Sequence, residues 1–153
     1  MADVVSSSKR SEMMSGIRGK DTKPELLIRR GLFKRGFRFR VHLSTLPGKP
    51  DIVLPKYKAV ILVNGCFWHG HGCSLFKWPS SRVDFWRNKI GENRKHDAES
   101  LGALKLRGWR ALVIWECATK GRGKWPAEGM LDAVEKWVLE GCEYTEIGEQ
   151  YVG

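Results

Sequence analysis

Apolar residues recur at helical spacing in some segments and form short continuous runs in others, and these two patterns predict the helices and strands. The segment TKPELLIRRGLFKRGF has the apolar spacing of a helix. Thr22 is suited to cap this helix, with Pro24 in the first turn and Glu25 three positions after the cap, as in a capping box. Gly36 is a suitable residue to end it.

Three apolar runs predict β-strands. The first, residues 51–54, is stopped by Pro55. The second, residues 58–63, follows a short turn and is almost continuously apolar and β-branched, as expected of a central strand. The third is WRALVIWEC, which ends at Cys117.

Two further segments have helical character. Residues 83–107 are polar with spaced apolar side chains, which predicts one long helix or two short ones. A last helix is predicted before Gly141, because apolar residues recur there at helical spacing: Met130, Leu131, Val134, Trp137 and Val138. This order of elements indicates an α/β fold. Residues 1–153 contain no repeat or linker, which predicts one domain, and residues 1–20, rich in Ser, Lys and Gly, are expected to form a flexible arm.

Charge is the first indication of function. The chain of 153 residues has 27 Lys and Arg against 17 Asp and Glu, a formal net charge of +10. Such an excess favours a polyanionic partner, because each neutralised phosphate releases counterions. Seven tryptophans strengthen this interpretation, since aromatic rings beside cations can stack on bases. A basic protein that binds no nucleic acid is the alternative.

Apolar run lengths bear on where the protein is found. No run approaches the ~20 residues that a transmembrane helix needs. The N-terminal segment MADVVSSSKRSEMMSGIRGKD has no continuous apolar stretch of the kind found in signal peptides. We therefore expect a cytoplasmic protein without a membrane partner, in which disulfides are improbable and cysteines are either buried thiols or metal ligands.

Soft metal ligands are concentrated in the segment NGCFWHGHGC. Cys66, His71 and Cys73 follow C-x4-H-x-C spacing on a glycine-rich loop, close enough to converge on one ion. A structural zinc site takes four tetrahedral N or S ligands, and Cys117, at the end of a neighbouring strand, is a candidate for the fourth. The alternative is a set of small buried thiols and a surface histidine.

A second group of residues is suited to acid–base and magnesium chemistry. Asp51, at the start of a strand, is either an exposed strand-end residue or a Mg²⁺ ligand, with the Val63 carbonyl and the Asn64 side chain expected nearby. His69, not needed by zinc, is either a proton carrier or a loop histidine with one hydrogen bond. Glu25 is either a capping residue or a group that orients a metal-bound water.

Large aromatic residues adjoin the same loop. Phe67 and Trp68 are consecutive, and Trp86 lies in the basic stretch FWRNKIGENRK. On a rigid loop such side chains can act as a wedge between base pairs. They could equally pack over the zinc ligands as a small separate core.

Several ordered motifs together resemble one known family. PGKPDIVL, AVILVNGCFWHGHGC, FKWP, FWRNKIGEN and GWRALVIWEC are similar in order and spacing to the very short patch repair (Vsr-type) DNA mismatch endonucleases, over roughly residues 11–117. The resemblance implies a restriction-endonuclease-like α/β core of PD-(D/E)XK type, with a central mixed β-sheet flanked by helices and a structural zinc. It also implies a Mg²⁺-dependent nick in one DNA strand, 5′ to the thymine of a T·G mismatch left by deamination of 5-methylcytosine, with 3′-hydroxyl and 5′-phosphate products. A monomer is expected, with mismatch-repair proteins as candidate partners.

The resemblance also implies roles for individual residues. Asp51 matches the metal-binding aspartate, Val63 the main-chain metal ligand, His69 the catalytic histidine and Glu25 an N-terminal glutamate of the site. The zinc ligands correspond to Cys66, His71, Cys73 and Cys117. The residues at the mismatch correspond to Phe67, Trp68 and Trp86 of the wedge, Met14 inserting from the other groove, and Lys89 and Asn93 facing the mispaired bases.

The chain departs from the usual family pattern at one point. Thr-His commonly precedes the Gly-Cys pair, whereas Val63-Asn64 stands here. The lost threonine side chain matters little if only its carbonyl binds metal. Asn64 can hydrogen-bond a water or a phosphate but cannot accept the proton, so proton transfer in this loop is left to His69. Two other functions fit the same residues: a non-catalytic zinc-containing DNA-binding module, and a restriction enzyme that cuts both strands.

Overall fold

The computed structural model describes residues 22–150. Its helices are α1 (Lys23–Lys34), α2 (Val83–Leu106) and α3 (Ala127–Glu140). Its strands are β1 (Arg40–Val41), β2 (Ile52–Leu54), β3 (Ala59–Asn64), β4 (Arg110–Trp115) and β5 (Tyr144–Ile147). Short 3₁₀ turns occupy Pro55–Tyr57 and Glu116–Ala118.

The predicted first helix is confirmed, including its cap. The Glu25 main-chain N–H donates to Thr22 Oγ1 over 3.4 Å, which satisfies one of the orphan donors at the helix start. The helix ends at Lys34, and Gly36 follows with a φ of 90°, a backbone conformation that favours glycine. This helix therefore holds Glu25 in a fixed position at its N-terminal end.

The strands form one mixed five-stranded sheet in the order β1-β2-β3-β4-β5. The β1–β2 and β2–β3 pairs are antiparallel, while β3–β4 and β4–β5 are parallel. Each parallel pair is joined through a helix, α2 for the first and α3 for the second. The predicted α/β fold with a mixed sheet is confirmed.

Alternate residues of the strands point to opposite faces of the sheet and form two cores. On one face Ile52, Ile61 and Leu112 are buried against apolar residues of α1 and α3, such as Leu32 and Val134. On the other face a smaller cluster packs against α2; its buried members are Val53, Val60, Leu104 and Ala111. The sheet is thus covered by helices on both faces.

The bounds of several helices and strands differ from the prediction or decide between its alternatives. Residues 83–106 form one helix rather than two. The third apolar strand ends at Trp115, because the chain turns there and the Cys117 N–H donates to the Cys66 sulfur instead of to a strand. β1 and β5 were not predicted, since β1 has two exposed residues and β5 is mostly exposed. Among residues 22–150, no helix is long and apolar enough to cross a membrane. Met14 and the predicted arm lie outside the described residues.

Candidate active site and metal centre

Asp51 immediately precedes β2 and lies beside the end of β3. Ile52 pairs with Ile61 in the antiparallel β2–β3 ladder, so the residue before β2 lies next to the last residues of β3. The Val63 N–H donates to Asp51 Oδ2 over 2.7 Å. The other carboxylate oxygen is not used by this bond. The structure therefore brings the predicted aspartate and the Val63 main chain together.

The environment of Asp51 disfavours its negative charge. The pKa of Asp51 is raised from 3.8 to about 7, chiefly by burial and also by the nearby Glu25 carboxylate, although the Val63 hydrogen bond lowers it. A bound cation would remove this penalty, because it favours the ionised carboxylate. The carboxyl group is thus suited to exchange a proton for a cation near neutral pH.

Glu25 and His42 form a group with Asp51. Glu25 is 1% exposed, and its Oε2 accepts a hydrogen bond from Arg29 Nη1 over 2.9 Å. His42 Nε2 lies 2.7 Å from Glu25 Oε2 and 3.9 Å from Asp51 Oδ1. One ligand atom from each of Glu25, His42 and Asp51 lies within 4.8 Å of the other two, close enough to share a metal ion.

His42 is a site residue that the sequence did not reveal. It follows β1, and its N–H donates to the Asp51 carbonyl over 3.1 Å, which places the two residues opposite each other. The pairing depends on a strand of two exposed residues, which leaves no apolar pattern to detect. Only the presence of a polar residue opposite Asp51 across a hairpin could have indicated His42 as a site residue.

His69 is oriented by a carboxylate on α2. Its Nδ1 lies 2.5 Å from Asp97 Oδ2, and its main-chain N–H donates to the Gly65 carbonyl. With Nδ1 engaged, Nε2 is the ring nitrogen left for proton exchange. Asp97 was also missed, because it lies 28 residues after His69 and only the packing of α2 on the loop brings them together.

One cleft joins these groups. It brings together Asp51, Val63, Asn64 and His69 from the predicted site, with His42 and Asp97 beside them. Glu25 lies behind His42. The remaining lining residues are Thr22, Pro24, Gly48, Lys49, Leu62, Gly65, Trp68 and Glu116. The cleft thus combines carboxylates, two imidazoles and a lysine, a set suited to phosphodiester hydrolysis with a cation.

The four predicted soft ligands also converge. One ligand atom from each of Cys66, His71, Cys73 and Cys117 lies within 4.8 Å of the other three. The Cys117 sulfur is 3.6 Å from His71 Nδ1. Zn–S and Zn–N bonds of about 2.3 and 2.05 Å at a tetrahedral angle require about 3.6 Å between these two atoms. The cluster therefore fits a tetrahedral ion, with His71 as a ligand through Nδ1.

Neighbouring groups support metal binding at this cluster. The Cys117 N–H donates to the Cys66 sulfur over 3.3 Å, and the Glu149 N–H donates to the Cys117 sulfur over 3.2 Å. Burial raises the pKa of Cys66, raises that of Cys117 to about 11, and lowers the pKa of His71. The neutral imidazole is already the ligand form, while a cation would deprotonate the thiols. The His71 ring stacks on Trp115 with centroids 4.1 Å apart, which fixes its plane.

The aromatic residues form a half-buried cluster beside the cleft. Phe67 contacts Trp68 and Trp86 edge to face, at centroid distances of 5.4 and 5.1 Å. Asn93 Nδ2, on α2, donates to the Trp68 carbonyl over 2.8 Å. Lys89 lies on the same helix, one turn after Trp86. The loop of residues 64–73 therefore connects the cleft, the aromatic cluster and the soft ligands.

Comparison with known proteins gives a consistent result. Residues 2–75 match the family model described as DNA mismatch endonuclease Vsr. The chain is 43% identical over 138 residues to DNA mismatch endonuclease Vsr of Escherichia coli, covering 90% of this chain and 88% of that protein. It is 45% identical over 123 residues to Type II nicking enzyme V.XorIIP of Xanthomonas oryzae, covering 80% and 90%. It is also 45% identical over 122 residues to Type II nicking enzyme V.NmeAIP of Neisseria meningitidis, covering 80% and 87%.

Proposed function

The chain belongs to the Vsr family of DNA mismatch endonucleases, and from this premise we propose that it nicks one strand of duplex DNA 5′ to the thymine of a T·G mismatch. The cleft that unites Asp51, Asn64 and His69 beside an aromatic cluster carries this proposal. The mixed sheet with helices on both faces is the expected setting, and we assign it to the restriction-endonuclease-like class. We propose a monomer, because nicking one strand requires only one copy of this cleft.

A divalent cation, Mg²⁺ in our proposal, would be held by the Asp51 carboxylate and the Val63 main-chain carbonyl. The Asp51 carboxylate accepts the Val63 N–H with Oδ2, and its Oδ1 lies 3.9 Å from His42 Nε2. Because burial and Glu25 raise the pKa of Asp51, its environment favours a cation over a free negative charge. When bound, the ion neutralises negative charge developing on the scissile phosphate. Asn64, at the end of β3, can hydrogen-bond a phosphate oxygen or the attacking water.

His69 handles the proton of the attacking water. The Asp97 carboxylate on Nδ1 favours the tautomer that leaves Nε2 as the proton acceptor. Glu25 takes no direct part in this step. Its buried carboxylate accepts a hydrogen bond from Arg29 and adds negative charge beside His42 and Asp51. The products are a 3′-hydroxyl and a 5′-phosphate.

The second metal is structural zinc on Cys66, His71, Cys73 and Cys117. The Nδ1–Sγ distance and the sulfur hydrogen bonds support this assignment. All four ligands come from protein, so the site leaves no coordination position for a substrate. Its role is to fix the loop on which His69 lies.

DNA is bound through the aromatic cluster and the residues near it. Phe67, Trp68 and Trp86 enter beside the mismatch as a wedge, with Lys89 and Asn93 facing the mispaired bases and Met14 inserting from the other groove. The net charge of +10 supports binding of the phosphate backbone. Mismatch-repair proteins are candidate partners at the resulting nick, and a cytoplasmic location remains the expectation.

The test is cleavage of strand-labelled duplexes that carry T·G in varied sequence contexts, each with a perfectly paired control, in the presence and absence of Mg²⁺. We expect a single Mg²⁺-dependent nick 5′ to the mismatched thymine. Cleavage of both strands of the paired control would support a restriction enzyme. Tight binding without cleavage in any context would contradict the nicking activity.

A further inference from the structure

His42 occupies an unusual position on the wall of the cleft. Its backbone φ is 49°, a left-handed conformation that costs energy for a residue with a side chain. The hydrogen bond from its N–H to the Asp51 carbonyl holds this conformation in place. As a result the imidazole is directed between the carboxylates of Glu25 and Asp51, with its side chain only 19% exposed.

The contact between His42 and Glu25 is not a well-formed hydrogen bond. Nε2 lies 2.7 Å from Glu25 Oε2, yet it is buried and, among the described residues, has no partner in hydrogen-bonding geometry. Arg29 already donates to the same Glu25 oxygen. An unprotonated Nε2 and a carboxylate oxygen both carry lone pairs, so they repel at this distance unless a positive charge lies near both.

We propose that His42 Nε2 is a direct ligand of the divalent cation at Asp51. The inference rests on the cation site in the proposed function and adds a nitrogen ligand to it. In an octahedron with bonds of about 2.05 Å, adjacent ligand atoms lie about 2.9 Å apart and opposite ones about 4.1 Å apart. The distance of 3.9 Å between His42 Nε2 and Asp51 Oδ1 is close to the second value, so one ion can contact both atoms. Glu25 Oε2, 2.7 Å from Nε2, places a negative charge beside the same position.

A nitrogen ligand changes which cation the site prefers. Mg²⁺ favours oxygen ligands, whereas imidazole suits first-row transition ions. A site made by His42 and Asp51 therefore binds Mn²⁺ more tightly than Mg²⁺. Nitrogen coordination is also visible by pulsed electron paramagnetic resonance of bound Mn²⁺, which gives a readout independent of nicking.

The experiment uses the full zinc-loaded chain, without DNA, titrated with Mn²⁺ or Mg²⁺. For His42→Gln we expect Mn²⁺ affinity to fall about ten- to a hundredfold and Mg²⁺ affinity to fall less. The wild-type Mn²⁺ spectrum should show ¹⁴N coupling that His42→Gln removes. His96→Gln is the matched control, because His96 is an exposed histidine on α2, and it should keep both the affinity and the coupling.

Absence of ¹⁴N coupling in the wild-type protein would overturn the assignment without reference to any variant, even if His42→Gln failed to fold. A Mn²⁺ affinity unchanged within about twofold in folded His42→Gln would do the same, and would leave an imidazolium–Glu25 ion pair as the role of His42. T·G nicking by the wild-type chain in that case would leave the proposed function intact. Conversely, His42-dependent Mn²⁺ binding without nicking would refute the function alone.

Discussion

The loop of residues 64–73 lies between two clusters of metal-type ligands that differ in chemistry and in access. Cys66, His71, Cys73 and Cys117 are soft ligands, and the cysteines at 66 and 117 are fully buried. Glu25, His42 and Asp51 are mainly hard ligands; His42 and Asp51 line an open cleft, and Glu25 is buried next to His42. The first cluster would satisfy an ion with protein atoms alone, whereas the second would leave positions for water and phosphate.

This difference predicts that the first cluster contributes to stability and the second to chemistry. A closed site makes metal binding part of the folding free energy, so the loop loses its shape without the ion. An open site binds its cation weakly and exchanges it with solvent. Because residues 64–73 carry three of the soft ligands and also line the cleft with Asn64 and His69, loss of the soft-ligand cluster should disturb the cleft. Loss of Asp51 should leave the soft-ligand cluster intact.

Cys66→Ser should have the largest effect. Loss of a buried ligand should release zinc and lower the free energy of unfolding by more than about 4 kcal/mol, because ligation contributes directly to folding. Zinc content and denaturant unfolding are the measurements. The control is Cys142→Ser, since Cys142 is an exposed free cysteine outside the cluster. Full zinc occupancy with normal stability in Cys66→Ser would contradict the stabilising role of the soft-ligand cluster.

Asp51→Asn should have the converse effect. We expect nicking to fall about a thousandfold, because a positioned cation contributes several kcal/mol to stabilising the transition state. Zinc content and DNA affinity should be unchanged. Single-turnover nicking and duplex binding give the two measurements, and Asp132→Asn, an exposed aspartate on α3, is the control. Wild-type nicking by Asp51→Asn would exclude Asp51 as the cation ligand.

The sequence predicted the closed cluster better than the open one. Three of the soft ligands lie within eight residues, and the fourth follows an apolar run whose strand is recognisable, so local spacing almost defines the cluster. The long helices and the central strands were predicted for the same reason, since each has enough residues to show its period.

The open cleft depends on contacts that local patterns do not encode. His42 reaches Asp51 through a strand of two exposed residues, and Asp97 reaches His69 across the packing of α2. β5 was missed because it is short and largely exposed. Such long-range pairs form only in the complete fold, so the types of the residues alone do not predict that they will be in contact.

His69→Gln and Asp97→Asn test the proton-transfer part of the cleft. Removing the imidazole should lower the nicking rate about a hundredfold or more, while Asp97→Asn, which keeps an oxygen acceptor for Nδ1 but loses the charge, should cost about tenfold. The measurement is the pH dependence of single-turnover nicking, with zinc content as the check on folding. An unchanged pH–rate profile in His69→Gln would contradict the proton role.

The smallest effect is the pH dependence of the free energy of unfolding in the absence of the cation. The pKa of Asp51 is raised from 3.8 to about 7 in the folded chain, chiefly by burial, so the folded state retains a proton that the unfolded state has lost between these two pH values. The contribution of Asp51 to the stability of the wild type should therefore decline as pH rises from about 4 to about 7 and then level off. Asp51→Asn is neutral throughout and escapes this decline.

Relative to wild type, Asp51→Asn should thus be more stable at pH 8 than at pH 5, by on the order of 2 kcal/mol, in magnesium-free buffer with zinc retained. Denaturant unfolding at the two pH values measures the difference, and saturating Mg²⁺ should reduce it, because the cation stabilises the ionised carboxylate only in the wild type. In Asp132→Asn the pH dependence should match the wild type. A stability difference between Asp51→Asn and wild type that does not change with pH would show that the Asp51 carboxyl is ionised without a cation. The cleft would then hold the ionised Asp51 carboxylate without a bound cation.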